Sequence, residues 1–138
     1  KHRHMEITIE KLKEKISWYC NRFQLDLQSS EIYALYPQGN EYGWPAEYPN
    51  SRHAGIYAML DKNKNVIYIG KSNNIGYRMS NYFAYDENKG CKLKDSRVEG
   101  AEYLITFATK DNEKYACSSL EEFIIAELSP KCNTIGVY

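Results

Sequence analysis

The chain has 138 residues, 18 Lys/Arg balancing 18 Asp/Glu, and 43% hydrophobic against 26% charged residues, the make-up of one ordinary globular domain. No apolar run approaches the ~18 residues of a membrane span, and no secretory apolar region opens the chain. Zero net charge argues against a general nucleic-acid glove, and four cysteines (Cys20, Cys91, Cys117, Cys132) without a C-x-x-C pair point to reduced thiols in a cytoplasmic protein.

Taken in chain order, "KHRHM" reads as vector residue before a native start at Met5, so its histidines are set aside. "TIEKLKEKISWYCNRF", residues 8–23, places Ile9, Leu12, Ile16, Tyr19/Cys20 and Phe23 at helical spacing behind Thr8 as N-cap. The apolar "EIYALYP" stops at Pro37. Residues 37–53, with three prolines, are a connector whose Tyr42, Trp44 and Tyr48 either pin it to the body or stack on bases. "GIYAML" and "NVIYIG", joined by "DKNKN", predict a β-hairpin. "NNIGYRMSNYF" predicts a helix capped by Asn73 or Asn74, with Ile75, Met79 and Tyr82/Phe83 on one face. A lysine-rich loop over 84–99 leads to a third strand, "AEYLITFAT". A last helix over 111–128 is expected behind an Asp111/Asn112 cap, with Ala116, Leu120, Phe123/Ile124 and Leu128 inward and Pro130 at its end. From residue 54 the order is β-β-α-β-α, an α+β fold built on an antiparallel hairpin, and the first helix is expected to pack on it.

Charge is unevenly spread. Residues 62–97 carry eight Lys/Arg (Lys62, Lys64, Lys71, Arg78, Lys89, Lys92, Lys94, Arg97) against three Asp/Glu, a net +5, while residues 98–138 are net −4. This basic zone is either a face that steers a polyanion or a solvated loop.

Tyr57, Tyr68, Lys71, Arg78 and Tyr82, the latter two four residues apart on one helix face, stand on or beside regular elements together with Glu121. One carboxylate among phenols and cations is a poor fit to glycosidic cleavage, which uses two acids. It suits phosphodiester hydrolysis. Glu can anchor a hard divalent cation that keeps most of its waters, Arg can grip the phosphate in a two-pronged contact, and a phenol can help take a proton from water. Singly, each residue also has an ordinary structural reading.

The triplets "GIY" and "YIG", ten residues apart, followed by "GKSNNIGYR", resemble the GIY-YIG nuclease family over about 80 residues, from Ala54 to Asn133. "YIGKSNNIGYRMSNYF" is most similar to the N-terminal nuclease module of the bacterial excinuclease C subunit, with Lys71 after the triplet and Tyr82 where other branches carry histidine. The resemblance implies a three-stranded sheet flanked by helices and a single Mg²⁺ or Mn²⁺ ion. It matches the catalytic tyrosines to Tyr57 and Tyr68, the arginine to Arg78, and the metal-binding glutamate to Glu121, twelve residues before Asn133 in "LSPKCN". Gly70 and Asn133 are then structural positions near the site. Gly76 departs from the pattern: inside a helix it costs about 1 kcal/mol relative to Ala, so the helix is expected to start late or bend.

The expectation is a metal-dependent DNA endonuclease in residues 51–138, with residues 1–50 a helical extension and connector. Nothing in the chain supplies the excinuclease subunit's later modules, so a free-standing or excised nuclease domain is expected. Tyr57, helped by Lys71, is expected as general base with its pKa lowered by nearby cations. Arg78 would stabilise the phosphate, Tyr68 and Tyr82 would position phosphate or water, and Lys62, Lys64, Lys89, Lys92, Lys94 and Arg97 would hold DNA. RNA stays open as substrate, as does a protein partner on the N-terminal segment. Rival readings are a nucleic-acid-binding module without turnover and a protein-interaction domain.

Overall fold

The computed structural model describes residues 6–36, 47–84 and 92–133. Lys89, Cys91, Tyr42, Trp44 and the first five residues fall outside them. The elements run α1 (Ile9–Phe23), β1 (Leu27–Ser29), β2 (Tyr33–Ala34), β3 (Gly55–Leu60), β4 (Val66–Ser72), α2 (Ile75–Tyr82), β5 (Phe83–Ala84), β6 (Lys92–Leu93), β7 (Tyr103–Thr109) and α3 (Cys117–Leu128). Short 3₁₀ turns stand at Ser96–Val98, Asp111–Ala116 and Lys131–Asn133.

The sheet is larger than the expected three strands. Its order is β1-β7-β3-β4, with β2 also on β7, and every pairing is antiparallel. β7 therefore lies inside the sheet, while β4 is an edge strand.

Cross-strand partners share a face, and the register divides the core in two. Ile56, Ala58, Ile69, Ile105 and Phe107 face α1 and α3. Tyr57, Met59, Tyr68 and Leu104 face the other way, towards Ile75, Met79 and Tyr82 of α2. Lys71, the partner of Ile56, lies one residue before the end of β4, on the α3 side.

Local chemistry explains the elements. The Thr8 hydroxyl caps α1 by accepting the Lys11 N–H (3.1 Å). In the hairpin turn Asp61 accepts the N–H groups of Asn63 and Asn65 at 2.9 and 3.0 Å, and Lys64 takes the left-handed conformation (φ 64°). Asn74 caps α2 through the Tyr77 N–H (2.9 Å). Gly76 neither delays nor ends that helix. Its N–H donates to Ser51 O at 2.7 Å, and a Cβ there would meet the Ser51 Cβ at 2.7 Å. The missing side chain lets the connector lie against the helix.

Two further expectations are corrected. Asp111 and Asn112 do not cap the last helix; they open a 3₁₀ turn, and α3 begins at Cys117. Phe23 is 50% exposed, so the buried stripe of α1 is Leu12, Ile16 and Tyr19. "EIYALYP" holds the short strand β2, whose Tyr33 and Ala34 pair with Leu104 and Tyr103. Of the connector aromatics, Tyr48 packs against Tyr33, ring centroids 5.4 Å apart.

Residues before the hairpin thus complete the fold. Leu12, Ile16, Tyr19 and Leu35 bury their side chains in the two core clusters, each aliphatic one contributing roughly 1.5–3 kcal/mol. β1 and β2 also cover the β7 edge. A chain starting at Arg52 should melt well below the full chain and aggregate; equal melting temperatures in a thermal scan would make the segment an appendage.

Candidate active site

The candidate residues gather around the edge strand β4, drawn from both faces of the sheet. From the α2 side come three tyrosines. Their ring centroids stand 6.0–6.3 Å apart in a triangle. The Tyr57 and Tyr82 hydroxyls are 2.8 Å apart, and Tyr82 donates to Tyr68 at 3.3 Å. Tyr57 is only 1% exposed, whereas Tyr68 at the sheet edge is half-buried.

Gly70, across from Tyr57 in the β3–β4 register, makes this arrangement possible. A Cβ at Gly70 would run into the Tyr57 hydroxyl and ring, reaching Cε1 at 2.7 Å. The hydroxyl end of the Tyr57 ring occupies the space a side chain at Gly70 would take. Gly70→Ala should therefore push Tyr57 out of contact with Tyr82 and cost about 1–3 kcal/mol of stability, the usual range for overpacking. A denaturant midpoint equal to wild type would show that the ring has somewhere else to go.

From the opposite side come Lys71 and α3. A cleft of about 730 Å³ is lined by Tyr68, Lys71, Arg97, Glu121, Glu122 and Asn133, among others. Glu121 is half-buried while Glu122 is exposed. Burial pushes the Glu121 carboxyl above the ordinary carboxylate range, and Lys71 and then Arg78 pull it partly back. Ser118 also lines the cleft, one helical turn before Glu121, as three-residue spacing dictates. Sequence reading missed this hydroxyl, and the spacing to Glu121 was its one available signal.

The phenols do not titrate as expected. Burial, the neighbouring Tyr82 and then Tyr68 push Tyr57 far above the usual phenol range; Arg78 alone pulls it down. Tyr68 is also raised, by burial first and the contact with Tyr82 second, with Arg97 opposing. The lowering of Tyr57 by adjacent cations is thus reversed, because desolvation of a phenolate at 1% exposure outweighs one guanidinium.

Asn133 lies in the 3₁₀ turn after α3 and is buried. Its amide accepts the Ile69 N–H at 2.8 Å and donates to Ile69 O at 2.9 Å. A side chain thereby fills the hydrogen bonds that a further strand would have taken on the open edge of β4.

The basic residues separate into groups. Lys71 and Arg97 line the cleft. Arg78 is exposed on α2 outside its wall, though its charge reaches Tyr57 and Glu121. Lys62 and Lys64 belong to the hairpin turn, roughly 20 Å along the strand from Lys71, and Lys64 sits 4.9 Å over the Tyr103 ring. Lys92 is exposed on β6. Lys94 is engaged within the protein, its ammonium donating to Ser80 O at 2.9 Å. Among the described residues no group of three His, Cys, Asp or Glu side chains could hold a metal, and no helix is long and apolar enough to cross a membrane.

An antiparallel hairpin with clustered phenols, an edge lysine and a facing helix carboxylate thus surrounds the cleft. The chain belongs to the GIY-YIG nuclease-domain family: the family model described as a UvrC-like GIY-YIG domain matches residues 53–134. It is 38% identical over 88 residues to UvrABC system protein C of Francisella philomiragia and 36% identical over 88 residues to that of Francisella tularensis subsp. novicida. Each match covers 60% of this chain and 13% of the relative.

Proposed function

We propose that this chain is a divalent-metal-dependent endonuclease acting on DNA. The observation that carries the reading is the cleft itself, where the half-buried Glu121 carboxylate shares one surface with Lys71, Tyr68 and Arg97. Cations beside an acid and a phenol suit a phosphodiester, whose oxygens need positive charge and whose hydrolysis needs an oriented water. The relatives' role in the UvrABC system supports DNA over RNA.

The donor set fits one metal ion of the magnesium kind. Of the two carboxylates on the cleft wall, Glu121 is the one held partly out of water, its pKa raised by that burial, so a cation beside it relieves a desolvation cost. Among the described residues no set of three His, Cys, Asp or Glu side chains converges there, and so sparse a donor set suits an ion that keeps most of its waters, as Mg²⁺ or Mn²⁺ does. Glu121 would hold it, and the ion would supply charge to the phosphate oxygens and acidify a coordinated water.

The protein's own groups divide the remaining work. Tyr68 is the phenol that opens on the cleft, and its hydroxyl receives the hydrogen bond of the attacking water. Arg97 is the cation whose charge favours the Tyr68 phenolate needed to take the water's proton. Tyr82 and Tyr57 stand behind as a hydrogen-bonded support that fixes the Tyr68 oxygen. Arg78 adds positive potential at the Glu121 carboxylate and the Tyr57 phenol. This assignment moves the base from Tyr57 to Tyr68, because a side chain 1% exposed cannot meet a bulk water.

The test is nicking of supercoiled plasmid, branched duplex and single strand, with Mn²⁺ or Mg²⁺ and with EDTA. Metal-dependent nicking is expected. Tight binding without cleavage in any metal would leave a binding module of the same fold.

A further inference from the structure

Arg97 stands in a turn between two strands, outside the helix that carries Arg78, and yet it lines the cleft with Tyr68, Lys71 and Glu121. Its orientation is built. Asp95 caps the 3₁₀ turn Ser96–Val98 by accepting the Arg97 backbone N–H at 2.9 Å. The same carboxylate takes the Arg97 side chain along one edge, Nε at 3.1 Å and Nη2 at 2.7 Å. Two of the five guanidinium N–H groups are used in this way, leaving three for another acceptor.

The turn is itself anchored to the tyrosine cluster. The Lys94 N–H donates to Tyr82 O at 2.7 Å, its ammonium to Ser80 O at 2.9 Å, and Val98 is fully buried in the α2-side core. Arg97 keeps 60% of its side chain exposed. A fixed planar fork, free on one side and open to the cleft, suits a tetrahedral oxyanion better than a mobile lysine does. The positive charge is near enough to oppose the upward shift of Tyr68. An ordinary surface ion pair between neighbours would need neither the cap nor the docked turn.

We propose that Arg97, presented by Asp95, is a phosphate-gripping residue of this cleft, contacting a non-bridging oxygen of the bound DNA backbone in addition to the cation on α2. The proposal rests on the nuclease reading and names a further substrate contact within it. Asp95 acts as a positioning residue.

The test combines equilibrium binding of a short DNA duplex in EDTA across a salt series with single-turnover nicking in Mn²⁺. Arg97→Ala is expected to melt like wild type, to bind about tenfold more weakly at low salt, and to lose about 0.9 from the slope of log K against log salt, the share of one phosphate. Arg97→Lys should keep the slope but nick at least about tenfold more slowly, having charge without the fork. Asp95→Asn should bind at least as tightly as wild type and still nick more slowly, a split that a purely structural role would not give. Neutral methylphosphonates placed one at a time in the duplex should weaken wild type at one position where Arg97→Ala is indifferent. If wild type nicks DNA and Arg97→Ala matches it in slope and rate, this proposal falls alone. If wild type neither binds nor nicks, the nuclease reading falls and takes this contact with it.

Discussion

Glu121→Gln should give a folded protein that binds DNA like wild type and nicks it about 10²–10³-fold more slowly at any Mg²⁺ concentration. Several kcal/mol of charge stabilisation are at stake when a metal's anchor is lost, while Lys71 and Arg97 remain to hold the backbone. The amide keeps the shape of the carboxylate and removes only its charge. A second, opposite effect identifies the cause. The folded Glu121 carboxyl has its pKa raised by burial, so it favours folding while protonated and loses that contribution as pH rises through the folded value. Glu121→Gln imitates the protonated form. Metal-free Glu121→Gln should therefore melt above wild type at neutral pH, with the gap closing below about pH 4, where both states of wild type are protonated. Glu122→Gln, on the exposed neighbour, should change neither measurement much. Wild-type nicking by Glu121→Gln would remove the one-metal proposal, and a dead Glu122→Gln beside it would move the ligand by one residue.

Tyr68→Phe should cost far more activity than Tyr57→Phe. Removing a proton-accepting hydroxyl typically costs about 10²–10⁴-fold; removing a hydrogen bond behind it should cost about tenfold. Wild-type nicking should climb with pH from about 6 to 9, because the Tyr68 phenol, held up by burial and Tyr82, is still protonated there. In Tyr68→Phe that climb should flatten. Single-turnover rates across pH for both variants check this, and a larger loss in Tyr57→Phe would return the base to the buried tyrosine.

The parts of the fold that could be read from residues are those fixed by local chemistry. The Asp61 turn, the Asn74 cap and the apolar runs of β3, β4 and β7 each carry their own signal, so hairpin, helix and third strand were legible. β1 and β2 were not, because strands of two and three residues, too short to show a period, exist only through pairing with β7. The 3₁₀ turn ahead of α3 was masked by residues that cap helices equally well. For the site, spacing brought Glu121 and Asn133 into relation, and cross-strand alternation put Tyr57 and Tyr68 on one face. It could not say that the sheet edge lies at β4, and that placement leaves Tyr68 open to the cleft and Tyr57 enclosed. Arg97 lies in a turn without periodicity, so only the folded chain brings it to the carboxylate.

The Asn133 amide joins the turn after α3 directly to the middle of β4. The helix bearing the carboxylate and the strand bearing the phenol are consequently pinned to one another, and a slide of either by a residue would break both bonds at once. An edge strand ordinarily surrenders its outward amide protons to solvent within fast, local fraying. Here the Ile69 amide should exchange with deuterium only when the whole domain opens, as slowly as the protons of β3. The geometry of the cleft then has the lifetime of the fold itself, and separating acid from phenol requires global unfolding.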